Sequence, residues 1–389
     1  MTLLAFGDSG YHYDHLEAAD YDDVVTMEQF IEAERKDWIE DKRPIEELAY
    51  PPVYSLPRNG SSIAASGLAP VATAMKNFCR EQGCSFATML GDNLYPDGAT
   101  AGADGRDAQR FRDLFTVPFA PLAEGRDDFR IYTVLGNHDW HTSREGAMAQ
   151  VRFLEASPPF YMQGLFYRVV PPAARGQVEI FAIDTEVLLA GTTVYEPALA
   201  DDGSALASNS IEAPEQWAVP QGEAERNMAA WLETALASSS ARWKVVIGHH
   251  PLWSSAGSKF EQAKALRRLI LPVLCRHADI YIAGHEHTLE VHTDDCSTAA
   301  LEQKVAPLPT VVSGSASKMR PTNSAFIRHQ SKAHPQLRTL WAKGLVWGFA
   351  HLTFSDDRVT VRMVETPGDG SGVSQVTFER SFARRSAAE

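Results

Sequence analysis

Five short segments carry side chains able to hold metal ions or move protons. They are "GDSG" with Asp8, "GDNLY" with Asp92 and Tyr95, "GNHDW" with Asn137 and His138, "GHHP" with His249 and His250, and "GHEH" with His285 and His287. Each opens with glycine, which lets a backbone turn sharply and approach a ligand closely. Two carboxylates, a phenol, an amide oxygen and three imidazoles form a mixed oxygen and nitrogen shell. Such a shell suits iron, zinc or manganese better than calcium or a thiolate-seeking ion. Seven donors are too many for one tetrahedral ion. Two ions about 3.5–4 Å apart, sharing a carboxylate, would use them all and clamp the attacking and leaving oxygens of a displacement at phosphorus.

Singly, these segments say little. A "GD" pair is ordinary turn sequence, and a His-x-His pair on a strand only points both rings to one face. The weight lies in the set, because every segment follows a strand-like run, and ligands of open α/β sheets gather beyond the carboxyl ends of strands.

Those runs are "TLLAF", "SFATML", "RIYTVL", "QVEIFAID", "RWKVVI" and "DIYIA", each of the length expected for a buried strand. Between them, "PVATAMKNFCREQG", "AERNMAAWLETALA" and "EQAKALRRLILPVLCRH" repeat apolar residues at helical spacing. The alternation predicts an α/β layered fold with helices covering the sheets. After Pro309, "TVVSGSAS", "GFAHLTFS" and "RVTVRMVET" predict hairpin-like strands that form the second half of a sandwich. One elaborated domain, 1–389, is expected, with insertions at about 11–66 and 191–222. In the first, Thr26 and Gln29 are placed for a capping box, with Met27, Phe30, Ile31 and Trp38 as one apolar face. The second, rich in Ser, Ala, Gly and Pro, reads as a long surface loop.

The net charge of −14 argues against a nucleic-acid duplex or an anionic membrane surface as partner. Residues 11–50 hold 13 Asp or Glu against 4 Lys or Arg, so the acidity concentrates in the first insertion. No apolar run is long enough to span a membrane. Cys79, Cys84, Cys275 and Cys296 lack paired C-x-x-C spacing and are expected to be buried free thiols.

The ordered motifs resemble the calcineurin-like metallophosphoesterase superfamily, and within it the purple acid phosphatases of the small, tartrate-resistant type. That superfamily commonly opens with Asp-x-His, whereas this chain has Asp8, Ser9 and Gly10. In purple acid phosphatases the same His is absent and the Tyr of the second motif replaces it, where Tyr95 stands. "FAIDTE", "AAWLETALA", "VVIGHHPLWSSAG", "IAGHEHTLE", "VVSGSASKM" and "GFAHLTF" extend the likeness over most of the chain outside the insertions. The resemblance implies an α/β sandwich of two packed mixed β-sheets flanked by helices, with metals at one edge.

It also implies roles. Asp8, Tyr95 and His287 would hold Fe(III); Asn137, His249 and His285 a divalent Fe, Zn or Mn; Asp92 would bridge both. His138 would contact phosphate or protonate the leaving alkoxide. Asp139 would either orient His138 or stabilise its turn, and His250 would lie near the substrate. His12, His15 and His141 are expected to be solvated or rim residues. The implied activity is hydrolysis of small phosphate monoesters, with a phosphodiesterase or nucleotidase, or a non-catalytic scaffold, as alternatives. The acidic insertion, as a lid, would disfavour polyanions. The expected location is cytoplasmic if Met1 is the native start, and periplasmic or secreted if a leader has been removed.

Overall fold

The computed structural model describes residues 1–16, 25–192, 214–257, 260–301 and 303–385. Most of the 191–222 segment lies outside them. Every apolar run singled out above forms a strand. The first sheet has the spatial order β16 (Gln375–Ala383), β15 (Arg358–Thr366), β14 (Trp347–Phe354), β1 (Thr2–Phe6), β4 (Phe86–Leu90), β5 (Ile131–Val134) and β6 (Phe160–Tyr161). The second runs β13 (Leu337–Lys343), β11 (Leu289–Asp294), β12 (Leu308–Ser313), β10 (Ile280–Ala283), β9 (Trp243–Ile247), β8 (Val178–Ala182) and β7 (Tyr167–Val169). β2 (Val53–Ser55) and β3 (Ser62–Ala64) form a separate hairpin inside the first insertion.

The parallel strands β1, β4 and β5 are buried on both faces, which is why they read as unbroken apolar runs. Their register aligns Phe6 with Met89 and Leu90 with Val134, so they end level. Ile247 likewise faces Ala182 and Ile282 in the second sheet. The sheets are tied together where Ser313, at the end of β12, donates to the Ala5 carbonyl at 2.8 Å. Buried apolar side chains from both sheets join in one cluster. Helix α1 (Met27–Glu40) belongs to the first insertion. α2 (Leu68–Gln82) covers the first sheet, with Phe78 5.5 Å from Phe349. α3 (Arg144–Ala156), α4 (Met228–Ser238), α5 (Phe260–His277) and α6 (Ser324–Ala333) complete the longer helices of the described residues.

Two expectations need correction. The cysteines are paired, not free: Cys79 with Cys84 across the end of α2, and Cys275 of α5 with Cys296 beyond β11. Neither pair has a spacing that marks it in the sequence, because the fold brings the partners together. The Thr26 and Gln29 capping box is present, with reciprocal bonds of 3.2 and 2.8 Å. Of the predicted apolar face, however, only Trp38 is buried, while Met27 and Ile31 are exposed. The helix docks most firmly by its last turn. Trp38 donates to the Pro44 carbonyl, and Asn323 donates to the Asp41 carbonyl at 2.8 Å.

Candidate metal centre

The level strand ends converge the five glycine-led segments. Asp8 follows β1, Asp92 follows β4, Asn137 and His138 follow β5, His249 follows β9, and His285 and His287 follow β10. Asp8, Asp92 and His285 all have positive φ, 55°, 51° and 70°. Non-glycine residues rarely adopt that conformation, and such strain persists where the surroundings overdetermine it. Here it turns each side chain back across its strand end. Gly136 shows how tight the packing is, since a Cβ there would lie 2.2 Å from Asp92 Oδ1.

Seven polar side chains meet in two groups. In the first, the Tyr95 hydroxyl lies 3.2 Å from Asp8 Oδ1, 2.7 Å from Asp92 Oδ2 and 3.1 Å from His287 Nε2. In the second, Asn137 Oδ1 lies 3.2 Å from His249 Nε2 and 3.0 Å from His285 Nδ1, and Asp92 Oδ1 is 3.3 Å from His249 Nε2. Asp92 thus offers one oxygen to each group. Neighbours fix the donors. Asp8 Oδ2 accepts from the His285 amide at 2.8 Å, which turns Oδ1 towards Tyr95. His249 Nδ1 donates to the Leu90 carbonyl at 2.8 Å, leaving the Nε2 lone pair to face the group.

The electrostatics test whether cations fit. Burial pushes the Asp8 carboxyl well above the usual range, and Asp92 adds to the rise. Burial, then Asp92 and Asp8, pushes the Tyr95 phenol well above its own. Burial alone would lower His249, yet Asp92 holds its imidazolium up to about 10. Asp8 and Tyr95 thus resist ionising and His249 clings to its proton. Against burial, His249 and His138 hold Asp92 well below the carboxylate range, and burial, then Arg320 and Lys318, lower His287. The shortage of positive charge is centred on Asp8 and Tyr95. The donor chemistry therefore fits two cations, the three-oxygen group favouring the harder ion.

The remaining expected residues separate. His138 Nδ1 donates to the Pro96 carbonyl at 2.5 Å, so Nε2 is free to face a ligand, and its ring lies 4.3 Å from that of Tyr95. Burial lowers His138 to about 4. Asp139 does not touch His138. Its carboxylate accepts from the amides of Gly136, Asn93 and Leu94 at 2.8–3.1 Å, binding two loops together. The His250 ring lies 4.3 Å from that of His285, at the back of the second group. Buried, it shares its Nδ1 with the Thr185 hydroxyl at 2.8 Å and faces Glu186 at 3.4 Å. His12 and His15 lie beside Asp14 and Asp113, and His141 lies between Asp97 and Glu215.

Beyond His287 opens a cleft of about 470 Å³, walled by Glu34, Asp37 and Trp38 of the insertion on one side and by Lys318 and Arg320 on the other. The sequence reading passed over Lys318 and Arg320. Their available signal was a Gly and Ser-rich loop after a strand, "SGSASKMR", ending in cations.

The profile of the calcineurin-like phosphoesterases matches residues 1–289. The chain belongs to that family. Among curated relatives, mouse tartrate-resistant acid phosphatase type 5 is 27% identical over 308 residues, covering 78% of this chain and 80% of the relative. Purple acid phosphatase 17 of Arabidopsis thaliana is 28% identical over 234 residues, covering 60% and 59%. Solved structures of like fold include a purple acid phosphatase from yellow lupin (TM-score 0.53, 14% identity, 99% of this chain and 54% of that one). Another is GAP50, the anchor in the inner membrane complex of Plasmodium (TM-score 0.58, 15% identity, 99% and 89%). The two mixed sheets flanked by helices are thus the metallophosphoesterase fold, as the motifs implied, and the chain is a hydrolase by family.

Proposed function

We propose that this family member is a binuclear phosphomonoesterase of the purple type. Asp8, Tyr95 and His287 would hold Fe(III), Asn137, His249 and His285 a divalent Fe, Zn or Mn, and Asp92 would join them. The observation that carries the reading is the division of Asp92, one carboxylate oxygen facing each donor group. Metal ions in this setting supply Lewis acidity, making water nucleophilic near neutral pH and offsetting charge on phosphoryl oxygens. The chain's own residues supply the rest. Asn137 is held by the turn that Asp139 anchors, and His138 presents Nε2 at the rim. A phosphoryl dianion beside that imidazole favours its protonated form, which can then donate to the leaving alkoxide. The carboxylates of α1 across the cleft repel a second phosphate, supporting small monoesters over polyphosphates.

The disulfides support an oxidising compartment, hence the exported location; reduction by dithiothreitol should lower thermal stability. Among the described residues no helix is long and apolar enough to cross a membrane.

The test is parallel assay of the metal-loaded protein with p-nitrophenyl phosphate and bis-p-nitrophenyl phosphate, alongside a visible spectrum. Faster monoester turnover and a violet band abolished by Tyr95→Phe are expected. Faster diester turnover would move the chain to a phosphodiesterase, two zinc or manganese ions without iron would remove the purple assignment, and no turnover would leave a scaffold.

A further inference from the structure

Lys318 lies in "VVSGSASKM", a segment to which the sequence reading gave no chemical role. Its ammonium is 4.7 Å from the Tyr95 ring centroid and 5.3 Å from that of Tyr11, half-buried in the cleft beside His287. Among the described residues it makes no hydrogen bond or ion pair, although a compact ammonium carries three donors and a strong hydration demand. Other cations of this cleft are engaged: Arg43 pairs with Asp41, and Arg320 reaches Glu286 at 3.3 Å.

The position of Lys318 is not left to a loose loop. The Ser317 amide donates to the Asp8 carbonyl at 3.1 Å, and the Arg320 amide donates to the His287 carbonyl at 2.8 Å. The backbone around Lys318 is thus bonded on both sides to residues of the seven-donor cluster. Ring faces accommodate a cation at modest gain, but they leave all three N–H groups without acceptors.

Charge supplies the second half of the argument. Two ions, at least divalent, outweigh two carboxylates and one phenolate, so the filled cluster is positive on the side that Lys318 faces. An anion seated between an ammonium and such a centre is attracted by both. Building on the phosphomonoesterase reading above, we infer that Lys318 is a substrate-binding residue that donates to a non-bridging phosphoryl oxygen on the cleft side, since both Lys318 and His138 lie against the Tyr95 ring. The preferred ligand is a phosphoryl dianion with a single phosphate, since Glu34 and Asp37 face the same cleft from α1.

Calorimetric titration of the metal-loaded full chain with inorganic phosphate tests this directly, with metal content measured on each sample. Lys318→Gln should weaken phosphate at least about tenfold, the loss expected for one charge-assisted hydrogen bond, while Lys318→Arg should stay within about threefold of native. With p-nitrophenyl phosphate, the same loss should fall mainly on KM. Lys318→Met serves as a second neutral variant if the Gln form loses metal or fold. Phosphate affinity within twofold of native in a neutral variant that retains its metals would overturn the inference and leave the phosphatase reading intact, as would failure of a neutral variant to differ from Lys318→Arg. Native protein that binds no phosphate overturns it too. Phosphate binding that depends on Lys318 without turnover of any ester would uphold the inference and remove the enzymatic reading.

Discussion

The two donor groups share Asp92 and differ in almost everything else. The group of Asp8, Tyr95 and His287 is rich in anionic oxygen, borders the open cleft and lies beside Lys318. The group of Asn137, His249 and His285 brings a neutral amide and two imidazoles, backed by the Leu90 carbonyl and by the ring of His250, 4.3 Å from His285. The contrast is chemical as well as spatial. A hard, highly charged ion is favoured where oxygens crowd, and a borderline divalent ion where nitrogen dominates. The asymmetry arises because neighbouring strands contribute to both groups, with each side chain aimed by a local backbone turn.

Several substitutions would break or sharpen that contrast. Asp92→Asn should hurt most, since it weakens both groups together: a fall in kcat of at least about 10³-fold, with elemental analysis finding fewer than two metals per chain. His138→Ala belongs to neither group, so it should keep both metals and lower kcat about 10²-fold, the contribution of one positioned acid. Tyr95→Phe and Asn137→Ala should each weaken one ion by roughly 10–100-fold, as loss of a supporting contact often does. Only the tyrosine variant should lose the violet band; if both lose it, the groups are not distinct.

A smaller effect concerns the metal-stripped chain. Burial raises Glu186 to about 8, and Asp92 holds His249, against burial, at about 10. Both values exceed those of the unfolded chain, whereas burial lowers Lys318 to about 8 and offsets His249 above that pH, so the folded state binds more protons chiefly between pH 7 and 8. Stability is then lost as pH rises. Urea midpoints of chelated protein should fall from pH 7 to pH 8, and a flat or rising profile over that span would contradict the charge balance assigned to these groups.

How much was legible differs between the strand ends and the rest. The parallel strands announced themselves because burial on both faces leaves unbroken apolar runs, and the glycines after them marked the turns. β11 escaped notice because Glu290, His292 and Asp294 alternate with Leu289 and Val291, yet all are buried: His292 bonds Glu290 at 2.7 Å, and Glu290 also accepts from the Ser255 amide at 2.8 Å. Polar residues satisfied inside the core imitate a solvent face in a periodicity argument. α3 was passed over although Ser143, which caps the Gly146 amide at 3.0 Å, was a usable start signal. The apolar face assigned to α1 failed for the converse reason, since a helix whose one fully buried side chain is Trp38 has little core to bury Met27 and Ile31 against.

Residue types and their order along the chain already determined the donor inventory, the family and the strand and helix alternation, because all three depend on local chemistry and short-range pattern. Tertiary structure alone decided that Asp92 faces both groups, that Asp139 ties loops while His138 leans on Pro96, that the cysteines pair, and that Lys318 stands over Tyr95. Most of those facts are distances between residues far apart in the chain, set by strand register and loop anchoring, and even Cys79 and Cys84, separated by 5 in sequence, pair only through the turn that ends α2.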